Sequence, residues 1–152
     1  MPTKEQIEQI IVELQRILRI CDWDIDFDYC GERKMQELTD GHNYACCERN
    51  IRLHRATIYI NKDHEGIDEW YPTLIHELYH IVTQGAHYHS KSLLDYITDE
   101  TTRNKESEMF TNYFEQLIED LSKGFVSAYP VSNFDHILKE KLCRDAESHT
   151  QP

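Results

Sequence analysis

The chain has 152 residues, of which 39% are hydrophobic and 29% charged, and its formal net charge is −12. These values predict one soluble domain with a modest core, placed at residues 1–143 and followed by a disordered tail over 144–152. The sequence shows no basic cluster, which argues against a nucleic-acid partner, and no stretch approaches the about 20 apolar residues that a membrane span needs. The N-terminal segment lacks the features of a signal peptide, so we expect a cytoplasmic protein.

The first half of the chain predicts one helix and three strands. Residues 3–19 place apolar side chains at helical spacing. Residues 23–29 alternate apolar and acidic side chains, as a half-buried strand does. A polar loop is predicted over residues 31–41, and two further strands over 42–48 and 55–61.

The second half predicts helices. An apolar segment beginning near Asp68 predicts a buried helix that runs to about Gln84, where Gly85 is a stop signal. A short loop over residues 86–90 and a long helix over 102–123, followed by a glycine, complete the pattern. This order predicts an α+β fold in which a small antiparallel sheet packs on the buried helix, with further helices beside it.

The buried helix carries the pattern H-E-x-x-H at His76, Glu77 and His80. Residues four apart lie on the same face of a helix, so the two imidazoles can bind one tetrahedral zinc ion. Glu77 lies one step around the helix, where its carboxylate can act as a general base on water. The alternative is a core helix with two hydrogen-bonded histidines, but two histidines and a glutamate are costly to bury without a role.

The segments around this motif resemble a known family. A W-x-I-x-F strand at residues 23–27, the strand Ala56–Asn61 and the segment Thr73–His80 are similar to small metallopeptidases encoded by bacteriophages and prophages. These are gluzincin-like zincins, distantly similar to ImmA/IrrE-type peptidases, and the resemblance covers residues 5–122. It implies a zincin-like minimal metalloprotease domain that uses zinc.

A catalytic zinc site needs a third protein ligand. Some H-E-x-x-H families, SprT-like proteases among them, use a downstream histidine, which leaves His87 and His89 open. The ImmA/IrrE-type pattern E-x-x-A-N-x-F is matched by the segment that begins at Glu108, with Thr111 in place of alanine, and so implies Glu108 as the ligand. The helical wheel favours Glu106 instead, since Glu106 lies in line with the apolar residues of the same helix.

These residues predict a zinc-dependent peptidase that acts on a peptide or protein substrate. His87, Tyr88 and His89 are candidate donors to the oxyanion. The strand over residues 55–61 is a candidate sheet edge at which an extended peptide could add as a strand. The alternative is a catalytically silent module of the same fold that binds a host or phage protein, and the presence of Glu77 favours the enzyme.

Overall fold

The computed structural model describes residues 1–39, 44–64 and 67–139. Its helices and strands follow one another as α1 (Lys4–Leu18), β1 (Asp24–Cys30), α2 (Glu32–Leu38), β2 (Ala45–Asn50), β3 (Arg55–Asn61), α3 (Trp70–Val82), α4 (Gln84–Leu94) and α5 (Glu100–Ala128). Short 3₁₀ turns precede α3 and follow α5. The predicted α+β class is confirmed. Within the described ranges, no helix is both long enough and apolar enough to cross a membrane.

Helix α1 confirms the helix predicted over residues 3–19 and packs against β1. A capping box fixes its start: the Gln6 backbone N–H donates to the Thr3 hydroxyl, and the Thr3 N–H donates to Gln6 Oε1 at 2.9 Å. Its buried side chains follow at helical spacing, at Ile7, Ile10, Ile11 and Leu14. Burial of each contributes roughly 1.5–3 kcal/mol, which holds α1 on the sheet.

The sheet is mixed, with strand order β1–β3–β2. Strand β3 pairs in parallel with β1 and in antiparallel orientation with β2, so the prediction of an antiparallel sheet holds for β2 and β3 and is wrong for β1. The connection from β1 to β3 contains α2 and β2, which makes it long enough for the crossover that a parallel pair requires. The buried residues Ala56, Ile58 and Ile60 belong to the central strand β3. The prediction that this strand is the edge is therefore wrong as well: β1 and β2 are the two edges of the sheet.

Helix α2 occupies most of the loop predicted over residues 31–41. Its Met35 side chain is fully buried. Lys34 lies over the ring of Tyr59, at 5.7 Å from the centroid. Tyr59 points away from Ile58, because side chains alternate along a strand, so α2 covers the face of the sheet opposite to Ile58. One buried residue in seven is too weak a periodic signal to predict a helix.

Helix α3 lies between the sheet and α5. Its buried side chains are Trp70, Tyr71, Leu74, Ile75, Glu77, Leu78 and Ile81. The helix ends at Val82, where the Thr83 N–H and hydroxyl both donate to a carbonyl one turn earlier. The chain then enters α4 at Gln84, so Gly85 and the loop predicted over residues 86–90 lie inside a helix.

Helix α5 is longer than the helix predicted over residues 102–123. It passes through Gly124, which was expected to follow its end. Phe125 packs against the core, and this burial continues the helix by a further turn. Its inner face carries the buried residues Phe114, Ile118 and Ser122. The predicted tail over 144–152 lies outside the described residues.

Candidate metal centre

His76 and His80 lie one turn apart on the same face of α3. Their ring centroids are 5.0 Å apart and the ring planes are inclined by 74°. Burial, followed by the charges of Arg49, His76 and His87, lowers the pKa of His80 to about 3. Its imidazole is therefore neutral at physiological pH, which is the form that binds a metal.

A carboxylate on α5 completes a group of three ligands. Glu115 Oε2 lies 3.7 Å from His76 Nε2 and 3.6 Å from His80 Nε2. One ligand atom from each residue lies within 4.8 Å of the others. Two ligands on tetrahedral zinc, each at about 2.0–2.1 Å from the ion, are about 3.3 Å apart. The side chains therefore fit a zinc ion with small movements.

The third ligands predicted from the sequence lie elsewhere. Glu108 is two turns earlier on α5, about 10 Å from Glu115 along the helix axis. It lines a separate shallow depression together with Lys105 and Tyr113. Glu106 is further from Glu115 again. The structure brings Glu115, and not Glu108 or Glu106, to the histidine pair.

The packing of α5 determines which glutamate reaches the site. Phe114 and Ile118 are buried, and Glu115 flanks the face that they form. Glu115 and Glu119 are four residues apart on α5, as the two histidines are on α3. Each pair therefore lies on one face of its helix, and the two faces can meet where α3 and α5 pack. This matching spacing is the sequence signal that could have identified Glu115.

The candidate residues on α4 do not line the cleft of the metal centre. The ring of His87 is stacked on Phe114, with 4.7 Å between centroids. Burial lowers the pKa of His87, with smaller effects from neighbouring cations. Tyr88 and His89 are exposed, and Tyr88 lines a depression between α4 and α5. The sequence-based prediction of oxyanion donors on this segment is therefore not supported by their position.

Glu77 is a buried acid beside the histidine pair. Its side chain lines the same cleft, although the residue is only 6% exposed. Burial raises its pKa to about 8, the charge of Arg49 acts against this, and the Glu115 carboxylate adds to it. A cation held by the three ligands would favour the carboxylate form of Glu77. Metal binding would therefore create the base that the predicted chemistry needs.

A second carboxylate on α5 orients His76. Glu119 Oε2 lies 3.2 Å from His76 Nδ1, and Glu119 Oε1 lies 2.9 Å from Lys123 Nζ. The hydrogen bond from Lys123, with a smaller effect of His76, lowers the pKa of Glu119. An Nδ1–H group that donates to Glu119 leaves the Nε2 lone pair of His76 for a metal. Sequence reasoning missed this residue.

The ligands and Glu77 open into one cleft of about 880 Å³. Helix α3 forms its floor, β2 forms one wall and α5 the other. Cys46 and Cys47 belong to the β2 wall with their thiols on opposite faces of the strand, and burial raises the pKa of both thiols, that of Cys46 to about 12. They are therefore protonated at neutral pH and poor metal ligands.

The backbone of β2 presents an open edge at this cleft. The Asn61 N–H donates to the Tyr44 carbonyl at 2.8 Å, and these two residues lie directly opposite one another in the ladder. Hydrogen-bonded pairs alternate with non-bonded pairs in an antiparallel ladder. Cys46 therefore bonds to β3, whereas Ala45 and Cys47 point their N–H and C=O groups away from it.

Comparisons of the chain with protein-family models, with curated proteins and with solved structures found no match. The resemblance to phage-type metallopeptidases stays a prediction from the sequence. The side chains of the cleft are therefore the basis for inferring function.

Proposed function

We propose that this protein is a zinc-dependent peptidase with a zincin-like architecture. His76, His80 and Glu115 are the proposed zinc ligands, and Glu77 is the proposed general base. The observation that carries the proposal is the position of Glu115, whose carboxylate on α5 lies within 4 Å of both imidazoles on α3. Two imidazoles, one carboxylate and a neighbouring acid are the side chains of a hydrolytic zinc site.

A bound zinc ion supplies Lewis acidity, which acidifies water and polarises a carbonyl group. Glu77 takes a proton from the attacking water as the water oxygen bonds to the peptide carbonyl carbon. Glu77 then gives that proton to the amide nitrogen as the C–N bond breaks. Glu119 holds His76 in the orientation that keeps its Nε2 free for the metal.

The open edge of β2 is the proposed binding surface for an extended peptide. Ala45 and Cys47 point their backbone groups away from β3 and line the cleft. A peptide that pairs with them would pass in front of Glu77 as an added strand. The substrate is therefore proposed to be an extended segment, because the backbone groups of a helix are already paired and cannot bond to this edge.

The variant Glu77→Gln tests the proposal. It keeps the shape of the side chain but removes the base, so peptide turnover should fall by roughly two to four orders of magnitude. Zinc content, measured on the same protein by elemental analysis, should remain at the wild-type level, since Glu77 is not a proposed ligand.

The variant His76→Ala is the complementary test and should abolish zinc binding. His54→Ala is a matched control, because His54 is exposed in the turn between β2 and β3. Turnover that survives Glu77→Gln in zinc-loaded protein would exclude the general-base mechanism. Biological activity without any peptide turnover would favour the silent binding module.

A further inference from the structure

Among the residues that the structure describes, two cationic side chains line the cleft, Arg49 on β2 and Lys123 on α5. Lys123 is paired with Glu119 at 2.9 Å. Arg49 forms no ion pair with a carboxylate in the described part of the chain, and Arg49 Nη1 donates to the His80 carbonyl oxygen at 2.9 Å. Arg49 therefore differs from Lys123: its charge lowers the pKa of Glu77, but its guanidinium is not paired with a carboxylate of the described residues and can bind a group that enters the cleft.

The bond to His80 holds the guanidinium beside the proposed metal ligands. The His80 carbonyl belongs to the last turn of α3, where carbonyl groups lack a partner within the helix. A guanidinium has five N–H donors in a rigid fork, and this bond uses one of them. The same hydrogen bond fixes the position of the other N–H donors of Arg49, which are available to a ligand.

The edge strand places Arg49 along the path of the proposed substrate. Arg49 lies two residues after Cys47, so its side chain points to the same face of β2, towards α3. Hydrogen-bonded and non-bonded pairs alternate along β2, and Arg49 belongs to a non-bonded pair. Its backbone N–H and C=O groups therefore also point to the open edge. A peptide added along β2 would therefore meet both the backbone and the guanidinium of Arg49.

We propose that Arg49 is a catalytic residue whose guanidinium donates a hydrogen bond to the oxygen of the scissile carbonyl. This inference rests on the proposed peptidase function. When the water oxygen bonds to the carbonyl carbon, the π electron pair moves onto the carbonyl oxygen, and it returns to form the C=O bond as the C–N bond breaks. Arg49 stays protonated throughout, since guanidinium does not lose its proton in proteins. It takes the role that the sequence assigned to His87, Tyr88 or His89.

The test compares two variants. Arg49→Lys keeps the positive charge but loses the planar set of N–H donors, and Arg49→Met keeps only the aliphatic part of the side chain. Removal of one oxyanion donor lowers kcat by about 10²–10³-fold, and we expect this loss in both variants with KM little changed. Arg52→Met is the matched control, because Arg52 is exposed in the turn after β2. Zinc content is measured for every variant. If Arg49→Met does not fold, Arg49→Lys decides.

A binding measurement separates catalysis from structure. A phosphinic peptide carries two oxygens on a tetrahedral phosphorus, which mimics the tetrahedral carbon of the transition state. Acetohydroxamate binds a metal but has no such tetrahedral centre. In zinc-loaded variants, the Kd of the phosphinic peptide should rise in parallel with the loss of kcat, and that of acetohydroxamate should not change. Equal weakening of both compounds would overturn the proposal, because Arg49 would then only shape the cleft.

The two proposals fail in different ways. Zinc-loaded Arg49 variants that keep wild-type kcat and wild-type affinity for the phosphinic peptide would overturn the role of Arg49 and leave the peptidase intact. A zinc-loaded wild-type protein that neither cleaves peptides nor binds the phosphinic peptide would overturn the peptidase, and the role of Arg49 with it.

Discussion

Replacing Glu115 with alanine should weaken zinc binding far more than replacing Glu108. Glu115 Oε2 lies 3.6 and 3.7 Å from the two imidazole nitrogens, whereas Glu108 lies about 10 Å further along the helix. Loss of a group that only orients a ligand weakens metal binding about 10–100-fold. Loss of a direct ligand should therefore exceed about 100-fold, which corresponds to about 2.7 kcal/mol or more.

The two alanine variants are well matched, because both positions are exposed on the same helix. Their metal-free stabilities should stay within about 0.5 kcal/mol of wild type. Zinc affinity is measured by competition with a chromophoric chelator. At a zinc concentration about 100 times the wild-type Kd, bound metal adds about 2.7 kcal/mol to the free energy of unfolding. Glu108→Ala should keep this gain and Glu115→Ala should lose most of it, and the opposite result would refute the assignment from geometry.

Three further predictions follow from the same cleft. Glu119→Ala should weaken zinc binding about 10–100-fold in the chelator assay, and unchanged affinity would contradict its role in orienting the imidazole. Cys47→Pro removes an N–H that points away from β3, so it should lower kcat/KM with little loss of stability. Cys46→Pro removes a hydrogen bond between β2 and β3 and should lower the free energy of unfolding in urea by about 1 kcal/mol or more. Equal losses of stability in the two variants would contradict the deduced hydrogen-bond pattern. In metal-free protein, folded Glu77 keeps its proton up to a pKa of about 8, while the unfolded chain loses it near 4.5. Below pH 6.5 the lowered pKa of His80 has the opposite effect on stability. The free energy of unfolding should therefore fall as pH rises from 6.5 to 8, and Glu77→Gln should abolish the slope in that window.

The sequence by itself determined the elements whose pattern is long and strongly periodic. Helix α1, strand β3 and the helix that carries His76 and His80 were all predicted, because each buries apolar residues at its own regular spacing. The juxtaposition of the two histidines also followed from the sequence, since it depends only on the pitch of one helix. Short or weakly periodic elements were missed, as α2 shows, because its single buried residue, Met35, creates no pattern.

Tertiary structure alone decided which groups meet across elements. Glu108 and Glu115 are seven residues apart and point in nearly the same direction on a helical wheel, so their direction cannot distinguish them. Their positions along the axis differ by two turns, and the packing of Phe114 and Ile118 against the rest of the fold sets that position. The choice of β2 as the open edge likewise depends on strand order, which no local pattern contains. A helix or strand is determined by neighbours in sequence, whereas a candidate metal centre whose groups come from α3 and α5 depends on how those helices pack.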